Sequence, residues 1–144
     1  LGILTTTLAV SLSGRHDEHA IRITAEDLAA AIQFAAQRAR TTGRPYRVAF
    51  LGGMTGYRIE QAQTAGGTDF EPVGGLAGQT RQLLAGVRVA SVDRGPQASQ
   101  GSNSDLEYDG AGGGFCGSIR LTNRTGQNIT IQVLPYTGQV YVVN

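Results

Sequence analysis

At Gly43 the chain changes its hydrophobic period, and that change limits the fold more than any other feature. Before it, Ile21, Ala25, Leu28, Ile32, Ala35 and Ala39 recur at alternating steps of four and three. That spacing lays one apolar stripe along a helix, whose core-facing residues are expected to be Ile21, Leu28, Ile32, Ala35 and Ala39. Thr24 is the expected N-cap, with Asp27 three residues on reaching back as in a capping box. Arg38 and Arg40 fall in the last turn, Gly43 ends the helix and Pro45 prevents its resumption. The expected helix spans about residues 24–42.

After Gly43 the period is two. Tyr46, Val48 and Phe50 alternate with Arg47 and Ala49, and GYRIE (residues 56–60) reads as the return strand after a Gly-rich turn. Residues 83–92, 106–109, 118–123, 128–134 and 139–143 read as further short strands. Residues 93–104 are a polar Gly/Ser/Gln loop. One helix followed by six or seven short antiparallel strands predicts an α+β domain over residues 20–144, its strands within 44–144 and its amphipathic helix covering sheet.

The helix carries a second apolar set. Ile23, Ala30 and Phe34 lie three, four or seven residues apart on another face. A helix packed only on its own sheet needs one stripe. The second set is therefore a candidate surface for a partner, with the edge of a broad core face as the alternative.

Residues 1–12 hold no charge, but twelve residues fall short of the roughly 20 needed to span a bilayer. They read either as a buried N-terminal segment or as the lower end of a membrane helix. SGRHDEH (residues 13–19) reads as a polar junction after it.

Composition excludes several chemistries. All twelve basic residues are Arg, so there is no Lys for a P-loop, a Schiff base or a Ser–Lys hydrolase. A net charge of +1 gives no electrostatic footprint for nucleic acid. Cys116, the single cysteine, forms neither an internal disulfide nor a cysteine zinc cage, and no His stands near it. His16, Asp17, Glu18 and His19 make a weak metal cluster, better read as a solvated stretch. DLEYDG (residues 105–110) imitates half a calcium loop, but Cys116 stands where the closing Glu belongs. Asn123 and Asn128 begin glycosylation sequons that read as hairpin residues. These residues imply no catalytic constellation, no metal and no cofactor.

The order of these segments resembles the H-type minor pseudopilins of type II secretion systems and their relatives, the FimT-like minor pilins. LGIL at the start resembles the tail of the prepilin hydrophobic helix. Residues 28–50 resemble the family's Ala-rich helix with Arg near its end, then Gly, then a strand. GYRIE, the Gly86–Val87 pair after Leu83–Leu84, LEYDGAGG, and ITIQVLPYTGQVYV with Thr137–Gly138 in its turn are similar to the family's later strands and turns.

The resemblance implies a pilin-like fold and a structural, non-enzymatic role. It implies a bacterial inner-membrane protein with a periplasmic domain, anchored by a helix whose leader and acidic residue would precede Leu1. The partners it implies are other pseudopilins or pilins in a filament, and secreted cargo. DNA-binding FimT-like proteins carry an Arg-rich closing turn. Here no Arg follows Arg124, so no nucleic-acid partner is expected. A type IV pilus minor pilin and an unrelated α+β binding module remain the alternatives.

Overall fold

The computed structural model describes residues 2–64, 69–84, 86–94, 106–109, 114–134 and 139–143, with side chains from Asp17 onward. A single helix, α1 (Gly2–Thr42), precedes all strands. It runs unbroken through residues 13–19, so Thr24 is not an N-cap. It lies in mid-helix and is buried. The capping motif is chemically sound but local. Between Gly2 and Thr42 no Pro breaks the helix, and Gly14 costs only about 1 kcal/mol relative to Ala. The C-terminus ends where expected. Gly43 adopts φ +70° and donates its N–H to the Ala39 carbonyl (3.0 Å), a left-handed cap open to glycine.

Nine strands follow among the described residues. They are β1 (Tyr46–Leu51), β2 (Gly56–Ala62), β3 (Phe70–Pro72), β4 (Arg81–Gln82), β5 (Arg88–Arg94), β6 (Leu106–Tyr108), β7 (Gly117–Thr122), β8 (Asn128–Val133) and β9 (Val140–Val143). The α+β class holds, with more strands than the six or seven expected. The additional two, β3 and β4, are too short to show a period and exist because β2 supplies their hydrogen-bond partners. Conversely, Leu83, Leu84, Gly86 and Val87 are not strand. The chain turns at Gly86 (φ +84°) before β5 begins.

The strands form two antiparallel sheets. The first runs β3-β2-β1-β6, with β4 also on β2, and the second runs β5-β7-β8-β9. In the first, Val48 pairs with Ile59, so both side chains point to one face. In the second, Ile119 pairs with Ile131 and Leu121 with Ile129. α1 packs against β1 and β6 of one sheet and β7, β8 and β9 of the other. One helix thus closes the core of both sheets. Ile21, Leu28, Ile32, Val48, Leu106, Ile119, Leu121 and Ile131 are its fully buried large residues.

Candidate functional site

The helix positions set what each side chain can do. Ile21, Leu28, Ile32, Ala35 and Ala39 lie in the buried layer between helix and sheets. The buried face is wider than one stripe, because Ala29, Ala31 and Ala36 are buried too. Covering two sheets requires that width. Of the second set, Ala30 is exposed, while Ile23 and Phe34 are half-buried. Phe34 packs against the core at one side, and the Arg38 guanidinium stands over its ring, 5.6 Å from the centroid. The second set therefore borders the core without being enclosed by it.

Two polar assemblies hold the surfaces beside the helix. On β2, Glu60 is only 2% exposed despite its charge. Its Oε1 accepts from Arg47 Nε at 2.7 Å, and its Oε2 accepts from Arg58 Nε at 2.6 Å. The Arg47 guanidinium also lies over Phe70 of β3, 4.1 Å from the ring centroid. β-sheet register explains the cluster. Arg47 sits directly opposite Glu60, on the face away from Val48 and Ile59.

The second assembly joins the helix to the β7–β8 turn. Arg124 Nη2 donates to Asp17 Oδ1 at 2.7 Å, and Asn123 Nδ2 reaches the Asp17 carbonyl at 3.4 Å. Asn123 Oδ1 in turn accepts from Thr125 N, Thr125 Oγ1 and Gln127 N, which fixes the turn. A recess of about 260 Å³ adjoins this contact, lined by Glu18, Ile21, Arg22, Gln127, Asn128 and Ile129.

The residues weighed for chemistry are scattered. Asp17 is committed to Arg124, Glu18 and His19 are exposed, and the His16 side chain lies outside the described residues. Asp105 and Gly110 of the calcium-like stretch also lie outside them, and Asp109 is exposed. Among the described residues no group of His, Cys, Asp and Glu could hold a metal ion. Cys116 is buried. Two buried hydroxyls, Thr24 Oγ1 and Tyr108 Oη, find no hydrogen-bond partner among the described residues. Burial pushes the Tyr108 phenol pKa well above its ordinary value, with Cys116 adding to the rise and Arg40 opposing it. Burial also raises the Tyr57 pKa, against a hydrogen bond with Arg81 that lowers it.

Surface apolar residues that the sequence pattern did not single out are Leu76 (76% exposed), Leu84, Leu134, Tyr141 (49%) and Val143 (47%). Leu76 stands in GGLAG, where only its isolation among small residues could have marked it. Tyr141 and Val143 stand two residues apart in β9, so they share one face of the strand.

A helix closing two antiparallel sheets, with buried polar clasps and no clustered reactive groups among the described residues, is a pilin-like architecture. The family model for the type II transport protein GspH matches residues 24–137, and the chain belongs to that family. Two solved structures of the minor pseudopilin EpsH, from the type 2 secretion system of Vibrio cholerae, share its fold. One has a TM-score of 0.62 at 11% identity, covering 85% of this chain and 94% of EpsH. The other has a TM-score of 0.61 at 11% identity, covering 84% and 91%. No curated protein matches the sequence.

Proposed function

We propose that the chain is a minor pseudopilin subunit of the type II secretion pseudopilus, a structural component of protein export. The family match across residues 24–137 is the observation that carries this reading. The two-sheet domain on one long helix is consistent with it. In this reading the helix packs among the helices of other pseudopilins in a filament. Its N-terminal continuation anchors the subunit in the bacterial inner membrane, and the sheets stand in the periplasm, open to other subunits or secreted cargo. Among the described residues no helix is long and apolar enough to cross a membrane. The role needs no cofactor and no nucleic acid.

Within this reading, Ile23, Ala30 and Phe34 are the helix face given to neighbouring subunits. Their partial exposure beside a filled core supports the assignment. A carboxylate there would be buried without a partner once subunits assemble, which is costly. The test is Ala30→Glu in the full-length protein, in a bacterium whose secretion depends on it, with Phe34→Glu beside it. Ala30 is exposed, so its variant keeps the fold. Secretion and co-purification with other pseudopilins should fall in both. Normal secretion with both variants would remove the helix face from the assembly.

A further inference from the structure

Among the described residues the two sheets end in four edge strands, and three of these edges carry devices that discourage pairing with another chain. β3 holds Glu71 and Pro72, and its neighbour β4 holds Arg81. β6 is closed by a bridge from Tyr108 to Gly114 and by the Phe115 N–H donating to the Glu107 carbonyl. β5 has a register shift between Val89 and Ser91, and carries Arg88, Asp93 and Arg94. Charge, proline and bulges are the usual protections of an edge strand. β9 has none of them. Residues 139–143 read QVYVV, with no charge, no proline and a regular register to β8.

The direction of the β9 main chain follows from one hydrogen bond. Leu134 N donates to the Gln139 carbonyl at 2.9 Å, in register with the Val133–Val140 pair. In an antiparallel ladder, residues alternate between facing the partner strand and facing away. Tyr141 and Val143 therefore direct their main-chain groups to β8, while Val140 and Val142 direct theirs to the open side. α1 packs on the inner face of β9, Val140 and Val142 are half-buried against the core, and among the described residues no strand pairs with the open side of β9.

We propose that this edge pairs with a second copy of the same chain, β9 to β9, around a two-fold axis at Tyr141. Opposed residues in a sheet must share a face, which limits the antiparallel registers to those with even residue sums. The register that places Tyr141 opposite Tyr141 also sets Val140 opposite Val142 twice. Both of these residues present outward N–H and C=O groups, so the pair gains four hydrogen bonds using described residues alone. Tyr141 then meets its counterpart in the closely spaced, non-hydrogen-bonded position, where aromatic pairs are favourable. Self-pairing also suits the charge. An uncharged strand has no repulsion against itself, and nothing on it selects a charged partner.

The contact is small. It falls below the roughly 1,200 Å² of stable specific interfaces, so the dimer is weak and populated only at high concentration. It is closed, and so it joins two subunits without propagating a filament. It rests on the edge geometry and not on the role in secretion.

Sedimentation of the protein up to ~1 mM, a range where weak pairs populate, should show a monomer–dimer equilibrium. Tyr141→Lys and Tyr141→Glu should each abolish the dimer by placing like charges opposite each other, and mixing the two should restore it. Tyr141 is half exposed, and an unchanged circular dichroism spectrum would verify that each variant keeps the fold. Tyr141→Cys should cross-link under mild oxidation, with Cys116 buried and silent. A strict monomer together with no cross-link would overturn the proposal. So would a dimer that survives Tyr141→Lys, since it must use another surface. A monomer whose β9 amides become protected only on adding a different subunit would assign the edge to that subunit instead.

Discussion

Arg124 Nη2 stands 2.7 Å from Asp17 Oδ1, so two residues 107 positions apart tie the helix to the β7–β8 turn. The bridge is asymmetric. The Asp17 side chain is 11% exposed and that of Arg124 is 64% exposed. The carboxylate has lost most of its water and needs the guanidinium more than the guanidinium needs it. Gly86 sets the Arg124 position from behind. A Cβ at Gly86 would lie 2.7 Å from Arg124 Nε, and its φ of +84° strains any other residue.

Gly86→Ala should therefore destabilise the domain through two separate causes, by about 1–3 kcal/mol in all. Arg124→Ala should cost about 1 kcal/mol, in line with a half-exposed pair. In a double-mutant cycle the two should couple, because removing Arg124 removes the collision and leaves only the φ strain. Additive urea-unfolding energies would place the Gly86 effect in the backbone alone.

Glu60 is the most deeply buried acid described, and two guanidiniums hold it. Glu60→Gln keeps the shape but leaves the Arg47 and Arg58 charges without their carboxylate. Both arginines retain about a third of their exposure and can recover water, which limits the loss. A cost of about 1–3 kcal/mol is expected. Glu60→Leu, which can donate and accept nothing, should cost at least as much. Equal melting temperatures for wild type and Glu60→Leu would mean that the cluster contributes no net stability.

This cluster shows where sequence reading stops. Arg47 and Glu60 are legible as residues of two strands of period two, Arg47 alternating with Val48 and Glu60 closing GYRIE. Nothing local says that a polar face is covered, because the cover comes from register across β1–β2 and from Phe70 in a strand too short to see. The helix stripe was legible because Ile and Leu have one preferred side. Ala29, Ala31 and Ala36 were not, since alanine fits either face and only the second sheet decides. The Thr24 cap failed for a related reason. Capping chemistry favours a helix start but cannot forbid upstream residues from being helical as well. The candidate helix face was visible as spacing, whereas Leu76, alone between glycines, has no period at all.

Tyr108 predicts an alkaline weakness. Its phenol is buried with no hydrogen-bond partner among the described residues, and burial raises its pKa above the ordinary 10.0. In the unfolded chain the same group ionises near pH 10. Above that pH the unfolded state has lost a proton that the folded state keeps. The folded state binds more protons there, so stability falls as pH rises beyond about 10, and below it the group contributes no slope. Tyr57 has the same sign. Tyr108→Phe should remove part of this alkaline slope. At neutral pH it should be neutral, or stabilising by about 1 kcal/mol, because it deletes an unsatisfied buried hydroxyl. Unfolding midpoints between pH 7 and 11 would check both. A marked loss of stability at pH 7 would reveal a hydrogen bond to that hydroxyl.

The two helix faces should separate cleanly in stability. Leu28 is fully buried between the sheets, while Ala30, two residues on, is exposed. Leu28→Ala removes three buried carbons and leaves a cavity that a helix bounded by two sheets cannot readily close, so about 2–5 kcal/mol is expected. Ile32→Ala should behave alike. Ala30→Glu adds a charge on the solvent side of a good helix position, so its effect should stay within about 0.5 kcal/mol. Phe34→Ala falls between them, since Phe34 packs against the core on one side and lies under Arg38. The order Leu28→Ala, then Phe34→Ala, then Ala30→Glu, read from urea midpoints at constant slope, follows directly from depth along the helix circumference. If Ala30→Glu cost as much as Leu28→Ala, the outer face would belong to the domain's own core. The surface proposed for neighbouring subunits would then be structural.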